Sequence, residues 1–465
     1  MNQTDSKWMI VVVERHVLWN LWCIDFLKKA VKEKQGIIIL DLSMLRLRRH
    51  KNNSRYLLAR FYRKNRIESI LRRTAIEQKI ERISISLLSY LSSPKNEYHR
   101  DNSLSFLNGL DSQYFEEIGA RIVDESQIEP KILAQAKLIY NKAFEITTRA
   151  IAERGITKVI VPGGRTLIPN AITAATQNMG ASCTVLEQAT SKSTRYLEFS
   201  LDFRQNMYPH QLEMDLTWAK GGTSKYEIAQ NYLEKKLHRG QSAGNFSVNF
   251  DSSIEILTPE NKKLAAIFVG SGFEMVPTDV DTNSIHVGSD HQKRMFELFN
   301  KVALENGFSV VLRGHPPSPG YERMFAAEDE EWAEFCYRNK ITHLPSLSKV
   351  DSYKLMKTSA INVVYASTVG IDSIILGANT LILANTDWAH LVPELCAFDE
   401  QSIRNRFSSF ERIIDVKKIY PYAFHMECGG IEMANVEYST DGTLYFEGKE
   451  IGAPRIRSLQ KILKR

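Results

Sequence analysis

Cysteine is scarce in this chain: Cys23, Cys183, Cys336, Cys396 and Cys428 are widely spaced and odd in number. With no CxxC pair and no Cys/His ligand spacing, neither a disulfide framework nor a structural zinc site is expected. Long apolar runs are missing as well. No stretch approaches the roughly eighteen apolar residues that cross a bilayer. Trp8 to Val13 is only a strand's length, so the start lacks a signal peptide's apolar core, and a cytoplasmic protein is expected. The common phosphate and dinucleotide fingerprints are also absent. Gly270-Ser271-Gly272 is not GxGxxG, which disfavours NAD, and Lys220-Gly-Gly-Thr-Ser-Lys225 lacks P-loop spacing and comes after no apolar strand. No DxD-like pair lies at a strand end, and the acidic Glu328-Asp-Glu-Glu331 reads as a solvated helix start, so no metal or cofactor is expected.

What is present is an α/β pattern in a chain of 465 residues, too long for one ordinary core. Lys7 to Val13, Leu18 to Lys32 and Gly36 to Asp41 read as strand, helix and strand, the opening of a Rossmann-like domain. Ile67 to Leu91 and Pro130 to Glu153 read as long helices. Lys158-Val-Ile-Val-Pro162 is a strand entering a Gly-Gly loop, followed by a helix through Ala171 to Met179 and a strand from Cys183 to Glu187. Residues 204–260 read as the domain boundary, being loop-like and rich in Gly, Ser and Asn towards their end. Leu264 to Val269 opens a second domain, and Val436 to Phe446 is a hairpin turning at Asp441-Gly442. The expected limits are therefore 1–255, 256–415 and a hairpin with a basic tail over 416–465.

Net charge is only +6, yet it is unevenly placed: thirteen Lys or Arg face three Glu between Arg46 and Arg82. Leu57, Leu58, Phe61, Tyr62, Ile67, Ile70 and Leu71 recur among them near helical spacing. Three readings stand for this segment. It is a solvated helix face, a peripheral attachment to an anionic inner leaflet, or a polyanion surface. No recognised nucleic-acid module accompanies it, so nucleic acid is not the expected partner.

Two stretches carry most of the chemistry. Val310-Val-Leu-Arg-Gly-His-Pro316 and Val363-Val-Tyr-Ala-Ser-Thr-Val-Gly-Ile-Asp-Ser373 are apolar β-branched runs that stop at small or polar residues. Buried parallel strands read this way when they deliver loops to the carboxyl edge of a sheet, where open α/β sheets hold ligands. Ser367, Thr368 and Gly370 fall where the next helix begins, which makes either a simple cap or a phosphate seat.

His-Pro after one strand and Ser-Thr-x-Gly-x-Asp-Ser after a later one resemble the bacterial capsule and lipopolysaccharide glycosyltransferases that use CMP-activated nonulosonic sugars. The Kdo transferases belong to that group and the bacterial sialyltransferases resemble it more distantly. The resemblance covers about 261–390, and more faintly 150–200. It implies a GT-B architecture, two Rossmann-like domains facing an interdomain cleft, with a CMP-sugar as donor substrate and an oligosaccharide or lipid-linked glycan as acceptor.

The resemblance also implies site residues. Ser271, Gly272, Arg313, His315, Pro316, Ser367, Thr368, Gly370 and Asp372 would surround the nucleotide, with His315 on the leaving phosphate. Glu187 and Glu274, one from each domain, would be the acid/base and nucleophile, and Glu187 reads equally as a helix cap or a solvated strand end. Gly164 and Arg165 would lie on the acceptor side; Gly163-Gly164-Arg165 stands where the family has Asn-Gly-Arg. Two alternatives remain open. One is a UDP- or GDP-sugar transferase or epimerase on the same scaffold. The other is a non-catalytic glycan-assembly or lipid-binding subunit.

Overall fold

The computed structural model describes residues 7–13, 17–33, 36–42, 80–84, 128–163, 166–189, 194–200, 208–241, 262–270, 289–317, 322–408, 414–434, 436–438 and 444–452, with positions 73, 106, 109, 110, 126, 250, 251, 253 and 254. The chain divides into two units, one of residues 1–110, 122–202 and 430–465, the other of 111–121 and 203–429.

The first unit runs through β1 (Lys7–Val12), α1 (Val17–Lys32), β2 (Gly36–Asp41), β3 (Glu81–Ser84), α2 (Pro130–Arg154), β4 (Ile156–Pro162), α3 (Leu167–Asn178), β5 (Ser182–Gln188) and β6 (Arg195–Ser200). Met9 to Val12 are buried without a break, as a strand covered on both faces requires, and β1 is accordingly central. It pairs in parallel with β2 at Met9 and Ile38 and with β4 at Ile10 and Ile160. The parallel order is β5-β4-β1-β2-β3, with β6 antiparallel on β5. Leu21, Trp22 and Phe26 of α1 pack with Ile10, Val12 and Ile160, and full burial of each such side chain stabilises by about 1.5–3 kcal/mol. Pro130 suits the first turn of α2, and Gly155, at a φ of 62°, ends it by donating its N–H to the Ile151 carbonyl.

The second unit contains α4 (Tyr208–Lys220), α5 (Lys225–Gln241), β7 (Lys263–Phe268), α6 (Ser289–Glu305), β8 (Phe308–Arg313), α7 (Glu322–Asn339), β9 (Thr342–Leu344), α8 (Ser352–Thr358), β10 (Ile361–Val364), α9 (Val369–Ile375), β11 (Thr380–Ile382), α10 (Glu400–Ser408) and α11 (Tyr420–Cys428). Its five strands are all parallel in the order β11-β10-β7-β8-β9. Ala265, Ile267 and Val269 cluster with Phe296 and Phe299 of α6, while Ala266 and Phe268 cluster with Ile371, Trp388 and Tyr422. In each unit the chain starts at the middle strand, adds two strands on one side and returns to the other. That is the Rossmann order, and it creates a crevice where the direction of winding reverses.

The fold is thus α/β with two parallel-sheet units, but the limits differ from 1–255, 256–415 and 416–465. Residues 208–241, read as boundary, form α4 and α5. Their aromatic residues pack on α11, with Trp218 edge-on to Phe424 at 5.8 Å and Tyr232 to Tyr422 at 6.3 Å, so they belong to the second unit. The chain then returns to the first. β12 (Ile431–Glu432) pairs with β6, and β13 (Val436–Tyr438), β14 (Leu444–Phe446) and β15 (Lys449–Gly452) form a small antiparallel sheet. Val436, Leu444 and Phe446 join the first unit's core. The expected β13–β14 hairpin is present; its Asp441-Gly442 turn lies outside the described residues, as do the basic tail and residues 46–72.

Two further readings are corrected. Residues 81–84, inside the helix expected over Ile67 to Leu91, pair with Ile38 to Asp41 as β3, so the ladder outweighs local spacing. Glu328 to Glu331 lie within α7 rather than at its start. Among the described residues, all five cysteines are free and no helix is long and apolar enough to cross a membrane.

Candidate functional site

The loops that leave the parallel strands build the carboxyl edge of the second unit. β8 ends at Arg313, whose side chain is 1% exposed. Its guanidinium donates to the carbonyls of Pro345 and Ser348 and to Ser352 Oγ, the last two at 3.1 and 3.3 Å. Burial pushes its pKa down to about 10. Arg313 therefore braces the loop between β9 and α8 and is not placed as a free phosphate ligand, which corrects the nucleotide-contact role expected of it.

Gly314 is next in the chain, and only a residue without Cβ fits there: such an atom would lie 2.9 Å from Asp329 Oδ1 and from the Ser346 nitrogen. Asp329 closes the same corner by accepting from the Ser346 N–H at 2.8 Å and its hydroxyl at 2.5 Å. That gives the acidic stretch of α7 a structural role at one position.

His315 succeeds it, its ring stacked on Phe325 with centroids 5.3 Å apart. Its Nδ1 is buried and has no hydrogen-bond partner. Burial first, and then the charge of Arg313, hold its pKa below the ordinary value, so the imidazole is neutral near pH 7. A neutral imidazole with an unmet ring nitrogen is poised to meet an incoming polar group. Pro316 is half-buried beside it.

At the end of β10, Ser367 is buried and its Oγ accepts from the Val369 N–H at 3.3 Å, while Thr368 is exposed. Gly370 is required for packing. A Cβ there would lie 2.6 Å from Trp388 Cη2 and 2.9 Å from Val364 Cγ2. Asp372 is likewise internal: Lys236 of α5 donates to its two oxygens at 2.9 and 3.0 Å, and Tyr353 also bonds it. Its expected contact with a nucleotide is replaced by an ion pair that ties α9 to α5.

β7 lies between β8 and β10, so the His315 and Ser367–Thr368 loops leave the sheet about 10 Å apart, two strand spacings. Ser271, Gly272 and Glu274 come after β7 but lie outside the described residues, as do Gly164 and Arg165. In the first unit, Glu187 is the penultimate residue of β5, partly buried and paired with Leu197. Beside it Gly163, at a φ of 76°, donates its N–H to the Leu186 carbonyl. Asn is the other residue that adopts the left-handed region readily, so Gly for Asn preserves this backbone turn.

Sequence reading missed three groups at this edge. His291 Nδ1 and the Tyr365 hydroxyl share a hydrogen bond of 2.5 Å, Gln292 is buried at 2% exposure, and Thr386, 3% exposed, has an unpartnered hydroxyl after β11. Gln292 was detectable as a polar residue in the apolar stripe of 292, 296, 299 and 303. Among the described residues no cluster of three His, Cys, Asp or Glu side chains is arranged to hold a metal.

No family model and no curated protein matches the chain. Similar solved structures include the KpsC β-Kdo 2,4-transferase of Thermosulfurimonas dismutans, at 11% identity over 66% of this chain and 87% of that one, TM-score 0.37. Another is the UDP-GlcNAc 2-epimerase of Methanocaldococcus jannaschii with UDP-GlcNAc and UDP, at 9% identity over 91% and 100%, TM-score 0.28. A glycosyltransferase of Rickettsia africae is similar at 11% identity over 92% and 96%, TM-score 0.26. At these identities and scores they assign no activity to the chain.

Proposed function

We propose that this chain is a GT-B glycosyltransferase that moves Kdo or another nonulosonic sugar from a CMP-activated donor to a growing surface glycan, without a metal ion. The observation that supports it best is one of placement. His315 and Ser367–Thr368 leave the carboxyl edge on either side of β7, and the winding reverses between β7 and β10. Open α/β sheets bind nucleotides in such a crevice. The residues quoted for the family resemblance therefore fall at one sheet edge.

Transfer requires stabilisation of the charge that develops on the leaving phosphate and a carboxylate near the anomeric carbon. In this reading His315 meets the phosphate and gains a proton as the anion arrives, which supplies the charge without Arg313. Ser367 and Thr368 border the nucleotide, Ser271 and Gly272 lie beneath it, and Glu274 and Glu187 serve the reacting centre. Gly164 and Arg165 face the acceptor, and the basic segment holds the enzyme at the inner leaflet.

Thermal shifts with CMP, UDP and GDP test the donor assignment, because only ligands of the native state raise its melting point. CMP alone should do so. A shift by UDP or GDP instead would support the transferase or epimerase alternative, and no shift by any would support a non-catalytic subunit.

A further inference from the structure

Gln292 is 2% exposed, and its Nε2 is buried with no hydrogen-bond partner. Unmet buried donors are rare because they forfeit their bond to water, so each calls for a physical cause. The fold supplies none. Met295, Phe296 and Phe299 continue the same stripe of α6 as ordinary core residues, where an apolar side chain at 292 would pack equally well.

Position supplies the cause. α6 lies between two parallel strands, β7 and β8, so its first turn stands at the carboxyl edge of the sheet, and the N–H groups of that turn have no intrahelical acceptor. The turn is fastened there by the His291–Tyr365 bond of 2.5 Å, and Tyr365 is wholly buried at the end of β10. A buried, unpartnered amide donor on a helix turn anchored to the end of β10 thus stands beside the point where the winding reverses.

We propose that the first turn of α6, with Gln292 Nε2 as its side-chain donor, binds an anionic oxygen of phosphate or carboxylate type, and that Tyr365 positions the turn through His291. The inference deepens the donor-site reading, on which its biological ligand rests. A CMP-activated sugar acid offers both groups, the phosphate and the sugar carboxylate.

Calorimetric titration of the full chain with CMP, cytidine, inorganic phosphate and a free 2-keto sugar acid tests the proposal in wild type, Gln292→Met and Gln292→Glu. Gln292→Met should raise the melting point of the ligand-free protein, since it removes an unmet donor at similar volume. It should also weaken the anionic probes about tenfold, and Gln292→Glu should weaken them further. Cytidine binding should be unchanged. Loss for CMP and phosphate identifies the phosphate as the bound group; loss for the sugar acid alone identifies the carboxylate. If phosphate depends on Gln292 while CMP does not bind, the anion site stands and the CMP reading falls. Anionic probes that bind both variants as they bind wild type would overturn the site, as would failure of every anionic probe on wild type or a lowered melting point in Gln292→Met.

Discussion

The Lys236 ammonium lies against both carboxylate oxygens of Asp372, at 2.9 and 3.0 Å, with the Asp372 side chain 7% exposed and that of Lys236 18%. Burial outweighs the lysine's charge and raises the carboxyl's pKa, so the pair is costly to keep and more costly to break. Lys236→Met should destabilise the chain by about 3–5 kcal/mol. Pairing it with Asp372→Asn should recover part of that loss, because no buried charge is then left alone. A double-mutant cycle in urea checks this; additive losses would show that the two side chains do not interact.

Gly370→Ala places a methyl 2.6 Å from Trp388 Cη2, and Trp388 is wholly buried with no room to retreat. Overpacking of this kind costs about 1–3 kcal/mol. Chemical denaturation should show a loss in that range, with weaker CMP binding because the shift displaces the Ser367–Thr368 loop. Wild-type stability would mean that Gly370 serves ligand approach instead.

His315 gives a pH signature. Its folded pKa lies below 6.5 and returns to 6.5 on unfolding, so the unfolded chain binds the extra proton. The stability it contributes is complete above about pH 6.5 and is lost as pH falls towards the folded value. The melting point should therefore drop between about pH 7 and pH 5.5, and less in His315→Ala. CMP binding should reverse the shift and take up a proton, measurable by calorimetry in two buffers of different ionisation heat. Equal apparent heats in both buffers would remove His315 from the phosphate.

Glu187→Gln and Glu274→Gln should each abolish sugar transfer while leaving CMP affinity within about twofold, since the proposed role of both is on the reacting centre and not on the leaving group. Near-normal turnover in either variant would return that residue to a structural role.

The basic segment bears on attachment. Arg73 is already paired with Glu447 at 2.6 Å, so not all of its charge is available to a membrane. Replacing Arg60, Arg63, Lys64 and Arg66 by Gln should release the protein from anionic vesicles and leave activity on a soluble acceptor unchanged. Binding by the wild type should fall steeply with salt, because the attraction acts over about 8 Å at physiological ionic strength. Equal sedimentation with neutral vesicles at low salt would leave the segment a solvated face.

The central sheet strands were legible because their runs are apolar on both faces, as Ile38 to Leu40 and Val310 to Leu312 show, whereas β3, β6 and β9 at or near the sheet edges lack such runs. Placement at the carboxyl edge came from the abrupt stops at Gly314 and Ser367. The roles of individual polar residues did not. Arg313, Asp372 and Gly370 read as ligand groups, yet their partners are Pro345, Lys236 and Trp388, between 18 and 136 residues away, and no local pattern encodes such contacts. The boundary failed for the same reason: 208–241 is polar in sequence, but its aromatics meet α11 some two hundred residues later.

Titration of CMP, UDP and GDP into wild type and His315→Ala by calorimetry bears most directly on the proposed activity. A hydrogen bond to a charged group is worth about 1.5–3 kcal/mol, so CMP should bind the wild type, bind a still-folded His315→Ala at least about tenfold more weakly, and be preferred over UDP and GDP. Equal CMP affinity in the two proteins, or a preference for UDP or GDP, would contradict the assignment.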